Sequence, residues 1–294
     1  MILFHRSASI VFFMIFLLSI IMTNGQDASN RVLFLGNSVF YSRGGLCPTF
    51  EGFCRQAGLD YQAVSQWKKP SSPHGIEFLD HGRIPLNLPE VAADRSIHDL
   101  IRLGNFDFVI LEARRVGYLL PAHVDLPESR GKHIPYRQNF EALSSLHRTI
   151  VNSGGQMVLY MHPGAHNALD IKHPVAQVYQ RLHIDLEKKE IDGKEHEVIL
   201  VPAMLLWLDA LHQYGEDGWY ADLNHGNALA RYASACMLFT YITGVDPRKN
   251  DFNKLTELTP AWHGIPGMSN LVAKDDDANW IKDQVWLYYL TRPR

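Results

Sequence analysis

Short apolar runs alternate along the chain with longer segments in which apolar residues recur every three or four positions. The run at 31–36 is rich in branched and aromatic residues and carries no charge after Arg31, which predicts a buried strand. Four more runs predict strands at 61–65, 106–111, 156–161 and 197–201. The helical spacing predicts helices at 46–57, 96–103, 138–152, 175–189, 204–213, 226–243 and 279–290. This alternation indicates a parallel sheet with helices on both faces.

The N-terminal segment has a different pattern. His5 and Arg6 precede an almost unbroken apolar stretch at 10–22, and small and polar residues follow at 23–28. This order is typical of a secretory signal peptide, and the apolar part is short for a membrane span. We therefore predict a signal peptide over residues 1–25 and a secreted or periplasmic protein; the alternative is an uncleaved N-terminal anchor. The remainder shows no repeat, low-complexity segment or linker, so 26–294 is predicted to be one domain.

Composition narrows the classes of partner. Hydrophobic residues make up 46% of the chain and charged residues 20%, as in ordinary globular proteins. The formal net charge is −3, which does not favour nucleic acid or an anionic membrane surface as a partner. No membrane association is expected beyond the signal segment.

Cysteine and histidine spacing does not favour a metal or a disulfide. Cys47 and Cys54 are seven residues apart in a predicted helix, about 10 Å, which is too far for a disulfide. With Cys236 the chain has three cysteines, so at least one thiol must be free. We interpret all three cysteines as small buried residues of the core. His162 and His166 are four apart, but Pro163 and Gly164 between them predict a loop rather than a helical metal face. We predict neither a metal site nor a cofactor, and no dinucleotide or P-loop motif is present.

Two short stretches carry the candidate chemistry. Gly36, Asn37 and Ser38 follow the first predicted strand, and the carboxyl ends of strands are where open α/β sheets place their sites. Asp222 and His225 lie just before the predicted helix at 226–243. A serine nucleophile needs a base, and the base needs a carboxylate that holds its tautomer. The alternatives are that Ser38 only caps a turn, and that Asp222 caps the helix beside an exposed His225.

Together these stretches resemble the SGNH (GDSL-like) hydrolase superfamily. The branch with a Gly-Asn-Ser nucleophile block is the most similar, and the resemblance covers about residues 31–247. Further matching segments are Phe-Asp-Phe-Val-Ile-Leu at 106–111, Tyr-Ala-Asp at 220–222 and Thr-Gly-Val-Asp-Pro at 243–247. The resemblance implies a three-layer α/β/α sandwich with a five-stranded parallel sheet, a flavodoxin-like arrangement. It also implies that Ser38 is the nucleophile, His225 the general base and Asp222 its orienting carboxylate.

The oxyanion hole departs from the family pattern. The family uses the backbone N–H of the nucleophile, here Ser38, a glycine after the second strand and an amide side chain after the third. Gly75 is the candidate glycine, although it comes late, and Glu112 stands where Gln or Asn is expected. An ionised carboxylate cannot donate a hydrogen bond and would oppose the negative charge of the transition state. Glu112 is therefore protonated, or Arg114 or Arg115 supplies the donor, or catalysis is impaired.

Two functions follow as expectations. The first is an exported serine esterase that cleaves a small-molecule or carbohydrate ester through an acyl-serine intermediate. The second is a catalytically impaired protein of the same fold that binds a glycan or a protein partner, which Glu112 favours. Trp67, Trp207 and Trp219 could form the floor of a sugar-binding cleft, although core packing is the expected role of Trp207.

Overall fold

A computed structural model provides the structure of the chain. It describes residues 29–36, 40, 46–67, 97–112, 136–161, 172–221, 225–254 and 273–292. The predicted signal peptide at 1–25 lies outside these residues. In the described part of the chain, no helix has the length and apolar character needed to cross a membrane.

The structure contains five strands: β1 (Asn30–Gly36), β2 (Tyr61–Trp67), β3 (Phe108–Glu112), β4 (Gln156–Tyr160) and β5 (Val198–Val201). They form one parallel sheet in the order β2-β1-β3-β4-β5. In this sheet Phe34 of β1 pairs with Ile110 of β3, and Ile110 pairs with Val158 of β4. All five predicted strands are present, with ends that differ by one or two residues.

The helices also follow the predicted positions. They are α1 (Cys47–Gln56), α2 (Ile97–Gly104), α3 (Tyr136–Asn152), α4 (Lys172–Glu187), α5 (Ala203–Trp219), α6 (Ala228–Thr243) and α7 (Asp275–Thr291). Helix α5 continues past its predicted end at 213 because a short second segment follows a break at Gly215, whose φ of 70° is not helical.

The sheet separates two apolar layers. Along β1, Val32 and Phe34 point into the layer built with α1, α5, α6 and α7. Leu33 and Leu35 point the other way, into the layer built with α2, α3 and α4. This alternation follows from the two-residue period of a strand. The predicted three-layer α/β/α sandwich is therefore confirmed.

Helix α6 is buried almost all round, which the sequence pattern did not indicate. Leu229, Tyr232, Cys236 and Phe239 recur at three- and four-residue steps, which indicates a helix with one apolar face, but nearly every residue of α6 is buried. The reason is that α6 contacts β5 of the sheet as well as three helices, α1, α5 and α7. Small residues such as Ala233 and Ala235 allow this close packing.

Candidate active site

The first motif stretch begins at the carboxyl end of β1. Gly36 ends that strand, and Phe40 is the next described residue. Phe40 is fully buried, and its carbonyl accepts a hydrogen bond from the N–H of Leu46 at 2.9 Å. Gly36 and Phe40 are therefore both held in the fold. Ser38, the predicted nucleophile, lies between them in the sequence and outside the described residues.

Glu112 is the last residue of β3 and lies against the end of β1. Leu111 pairs with Leu35, so Glu112 and Gly36 end neighbouring strands at the same edge. A Cβ at Gly36 would stand 2.3 Å from Glu112 Oε2 and 3.0 Å from Glu112 Cβ. Only glycine leaves room for this carboxylate, and the Glu112 side chain has no exposed surface. Glu112 therefore lies directly beside Gly36, and its side chain is enclosed in protein.

Tyr160 ends β4 and is the register partner of Glu112. Its ring packs edge-on against Phe40, with centroids 5.0 Å apart. Burial raises the pKa of Tyr160, the Ser234 hydroxyl lowers it by hydrogen bonding, and the charge of Glu112 raises it. The Tyr160 hydroxyl is buried and has no hydrogen bond of good geometry with any described residue. Tyr160 therefore places a buried phenol at the strand end next to Glu112.

The second motif stretch is a loop closed by backbone hydrogen bonds. Tyr220 and Gly226 form an antiparallel bridge. The N–H of Ala221 donates to the carbonyl of His225 at 2.8 Å, and the N–H of Asn227 donates to the carbonyl of Trp219 at 2.9 Å. His225 is half-buried within this loop. Asp222 belongs to the three residues that the loop encloses and lies outside the described residues.

Trp207 brings this loop to the carboxyl edge of the sheet. It lies in the second turn of α5, shortly after β5 ends, and its ring packs against Tyr220 at 5.4 Å between centroids. A Cβ at Gly226 would stand 2.4 Å from Trp207 Cη2, so the loop lies directly on the indole. Trp207 Nε1 donates to Ser234 Oγ at 3.1 Å. The His225 loop is therefore fixed to the same edge at which β1 and β3 end.

Helix α6 secures the loop from its other end. The Asn227 side chain accepts hydrogen bonds from the N–H groups of Leu229 and Ala230, at 2.9 and 3.0 Å, and donates to the carbonyl of Gly218 at 2.7 Å. Buried Arg231 donates to the carbonyl of Gly226 at 3.0 Å. The Asn227 side chain thus caps α6 and ties it to α5. The Arg231 side chain holds Gly226, the residue after His225.

The predicted site residues divide into two groups. His225 and Glu112 are described, and both lie at the carboxyl edge of the sheet. Outside the described residues lie Ser38, Asp222, Gly75, Arg114 and Arg115. The triad and the oxyanion hole therefore remain predictions, with one member of each placed by the structure.

The structure also bears on the other candidates. Trp207 is buried in the core, as expected, and Trp219 is buried as well, so neither forms the floor of a sugar cleft. Trp67 lies in β2. Burial raises the pKa of all three cysteine thiols, to about 12 for Cys47 and Cys54, so they stay protonated near neutral pH. All three are free, and no cluster of three metal-ligating side chains occurs within the described ranges.

Sequence reasoning missed three contributors to this edge of the sheet: Tyr160, Ser234 and Gly226. A terminal tyrosine on an apolar strand and a serine within an apolar helix gave weak signals, since each is common in ordinary cores. Gly226 follows His225 directly, but its contact with Trp207 joins residues 19 positions apart and is visible only in three dimensions.

Comparisons with known proteins agree with this fold. No protein-family model matches the sequence, and no curated protein sequence matches it. Among solved structures, a DUF4886 family protein from Bacteroides uniformis has a TM-score of 0.59 at 11% identity, over 90% of this chain and 96% of that one. An acetylxylan esterase from Geobacillus stearothermophilus has a TM-score of 0.45 at 12% identity, over 74% and 94% of the two chains. An alpha/beta hydrolase from the metagenome of Lake Arreo has a TM-score of 0.45 at 16% identity, over 74% and 96%.

The class of protein follows from the sheet, the layers and the likeness to the first of these structures. The chain is an α/β protein with a three-layer α/β/α fold on a five-stranded parallel sheet, which is the fold that the motif resemblance implied. At 11% identity the likeness to the DUF4886 family protein shows the fold alone, so the activity has to be argued from the site.

Proposed function

We propose that the protein is an exported serine esterase of the SGNH type. Ser38 would attack the ester carbonyl, His225 would take the proton of the serine hydroxyl, and Asp222 would orient the imidazole. The reaction would pass through an acyl-serine that water then hydrolyses, with His225 acting as base a second time.

One observation supports this proposal: Gly36, the last described residue before Ser38 in the sequence, and His225, the candidate base, both lie at the carboxyl edge of the sheet. Gly36 ends β1 at that edge, and the His225 loop is fixed to it by the contact of Gly226 with Trp207. A nucleophile and its base must come within hydrogen-bonding reach, so a shared edge is the necessary arrangement. Asp222 is one of the three residues between Ala221 and His225 in the sequence, and the N–H of Ala221 donates to the His225 carbonyl, which supports a role for Asp222 beside His225.

The substrate class is proposed from export. An exported hydrolase meets polymers and small esters outside the cell, and acylated carbohydrate is the chemistry that the sequence suggested. Trp207 and Trp219 are buried, so two of the three tryptophans considered for sugar binding cannot contact a sugar. The proposal therefore rests on the hydrolysis of an ester bond more than on a carbohydrate substrate.

A panel of esters tests the proposal. Purified protein is incubated with p-nitrophenyl acyl esters of increasing chain length and with acetylated xylose and glucose. We expect the wild type to hydrolyse at least one of these esters and the Ser38→Ala variant to hydrolyse none. Equal release by wild type and Ser38→Ala would show that the serine is not the nucleophile. Binding of a deacylated glycan without turnover of any ester would favour the alternative binding function.

A further inference from the structure

Arg231 is a buried charge in an unfavourable place. It lies near the start of α6, which begins at Ala228, and only 4% of its surface is exposed. The N-terminal end of a helix carries a partial positive charge, so a cation buried there is disfavoured by the helix dipole and by its lost hydration. Such a residue requires acceptors that compensate it. The carbonyl of Gly226 is one of them, because Arg231 Nη1 donates to it at 3.0 Å.

The Gly226 carbonyl lies just outside the hydrogen-bond pattern of the helix. Asn227 is the N-cap of α6, and its carbonyl accepts the first helical bond, from the backbone N–H of Arg231 at 3.2 Å. A carbonyl one residue earlier receives no helical donor. Gly226 is buried, and a buried carbonyl without a donor is costly. The guanidinium of Arg231 therefore supplies a bond that the helix does not.

This carbonyl belongs to the backbone that continues directly from His225. The His225 carbonyl accepts from the N–H of Ala221 at 2.8 Å, and the N–H of Asn227 donates to the carbonyl of Trp219 at 2.9 Å. The Gly226 carbonyl and the Asn227 N–H are the two polar groups of one planar peptide and point in opposite directions. Arg231 and Trp219 therefore hold this peptide from its two sides.

We propose that Arg231 is a positioning residue for His225. Its guanidinium fixes the plane of the peptide between Gly226 and Asn227, and this peptide limits where the His225 backbone can lie at the sheet edge. A base works only within hydrogen-bonding reach of its nucleophile, so a shift of about 1 Å is costly. The catalytic consequence rests on the proposed function, in which His225 is the base, whereas the hold on the backbone does not.

Lys282 provides a matched control for a variant of Arg231. It is also a buried cation on a helix, α7, and its Nζ donates to the backbone carbonyl of Asn250. Arg231→Met and Lys282→Met each remove a buried charge and keep an apolar stem, so both should lower the stability of the fold. Only Arg231→Met removes a bond to the backbone beside His225. A difference between the two variants therefore reports positioning rather than stability.

Amide hydrogen exchange of the purified full chain, resolved to single residues, tests the hold on the backbone without needing activity. Exchange of β4 amides measures the change in global stability and is used to correct the other rates. After this correction, the N–H groups of Ala221 and Asn227 should exchange at least about tenfold faster in Arg231→Met than in wild type. In Lys282→Met they should exchange as in wild type. Equal protection of both amides in wild type and Arg231→Met would overturn the proposal.

Two further variants complete the set. Tyr232→Phe is a second control on α6 itself, because it removes a hydroxyl that donates to the carbonyl of Phe252 at 2.7 Å, and exchange at Ala221 and Asn227 should not change. Arg231→Lys keeps the charge but lacks the guanidinium fork. If Arg231→Met does not fold, Arg231→Lys is measured against the same criteria.

Kinetics on a p-nitrophenyl ester test the catalytic consequence. Positioning predicts that Arg231→Met lowers kcat at least about tenfold while KM changes less than about twofold, because alignment affects the chemical step more than binding. Lys282→Met should keep kcat within about twofold of wild type. A wild-type kcat in Arg231→Met, or equal losses in the two variants, would overturn the proposal. If the wild type hydrolyses no ester, the proposed function fails, while the exchange experiment still decides whether Arg231 holds the backbone beside His225.

Discussion

Gly226 lies on the edge of the Trp207 ring, and this contact sets the position of His225. A methyl group at residue 226 would stand 2.4 Å from Trp207 Cη2 and 2.7 Å from the Cβ of Ala230. The loop therefore has to move away from the sheet edge if any side chain replaces this hydrogen.

We expect Gly226→Ala to lower kcat/KM for a p-nitrophenyl ester at least about tenfold, because a shift of about 1 Å misaligns a base and its nucleophile. Gly218→Ala is the control, since its new Cβ would meet only the Cβ of Tyr214 at 3.1 Å. Steady-state kinetics of both variants check this, and equal activity of Gly226→Ala and wild type would contradict the placement of His225.

A second prediction at the residue scale concerns the partnership of Ser38 and His225. Ser38→Ala and His225→Ala should each lower kcat by about a thousandfold or more, because a hydroxyl without its base is a weak nucleophile. The double variant should be hardly slower than either single variant, since members of a triad act as a unit. Losses that multiply in the double variant would show that the two residues act independently.

Glu112 shows what sequence reasoning can and cannot give at this scale. Its position at the end of a buried strand and its departure from the family amide were readable from the chain. Its enclosure by Gly36 and Tyr160 was not, because burial at a strand end depends on the neighbouring strands. The position of His225 just before a helix was predicted, whereas its support by the Trp207 indole was not, because core packing was all that the sequence indicated for Trp207.

At the scale of elements, the start of α6 controls the loop before it. Asn227 caps the helix with two accepted hydrogen bonds and holds the carbonyl of Gly218 with a donated one. Capping and helix-to-helix attachment are therefore combined in one side chain, two residues from His225.

We expect Asn227→Ala to lower the free energy of unfolding by about 1–2 kcal/mol, the usual loss for a removed N-cap. Asn227→Asp keeps the two acceptor bonds and loses the donor to Gly218, so its loss should be smaller. Urea unfolding followed by circular dichroism measures both. An Asn227→Asp variant as unstable as Asn227→Ala would show that the bond to Gly218, rather than the cap, provides the stability.

The helices and strands were largely predictable because the spacing of apolar residues along the chain shows which side of each element is buried. The strands and the helix positions came from the pattern alone. The complete burial of α6 did not, since it depends on α7, a helix 31 residues further along the chain that covers the outer face of α6. The break in α5 at Gly215 is a backbone feature that glycine permits, and a hydrophobic pattern does not report it.

At the scale of the whole molecule, His147 couples stability to pH. It is buried on α3, its ring meets that of His196 edge-on at 6.4 Å, and burial followed by the charge of His196 lowers its pKa from 6.5 to about 4. The folded state keeps this imidazole neutral. Between about pH 6.5 and 4 the unfolded chain therefore binds a proton that the folded chain does not, and stability falls as the pH is lowered.

Between about pH 6.5 and 4 the free energy of unfolding should fall by about 2–3 kcal/mol at most. Each unit of difference between the unfolded and folded pKa of His147 contributes about 1.4 kcal/mol. Urea unfolding at a series of pH values measures it. In His147→Gln the decline between pH 6.5 and 4 should be smaller than in wild type by this amount. Parallel pH dependences of the two proteins would show that His147 does not carry the effect.

Export is a second prediction for the whole chain. Because the apolar stretch at 10–22 is followed by small residues, the mature N-terminus should lie between about Asn24 and Asn30. N-terminal sequencing of protein recovered from the periplasm or medium checks this. A secreted chain that still begins at Met1 would rule out a cleaved signal.

The most direct measurement of the central claim is covalent labelling with a fluorophosphonate, followed by mass spectrometry of the peptides. Labelling requires a serine whose hydroxyl is activated by a base. We predict that the reagent modifies one residue, Ser38. The His225→Ala variant should no longer be labelled, and the Tyr232→Phe variant should be labelled like the wild type. Wild-type protein that is folded by circular dichroism and still unlabelled at Ser38, or labelled equally with and without His225, would contradict it.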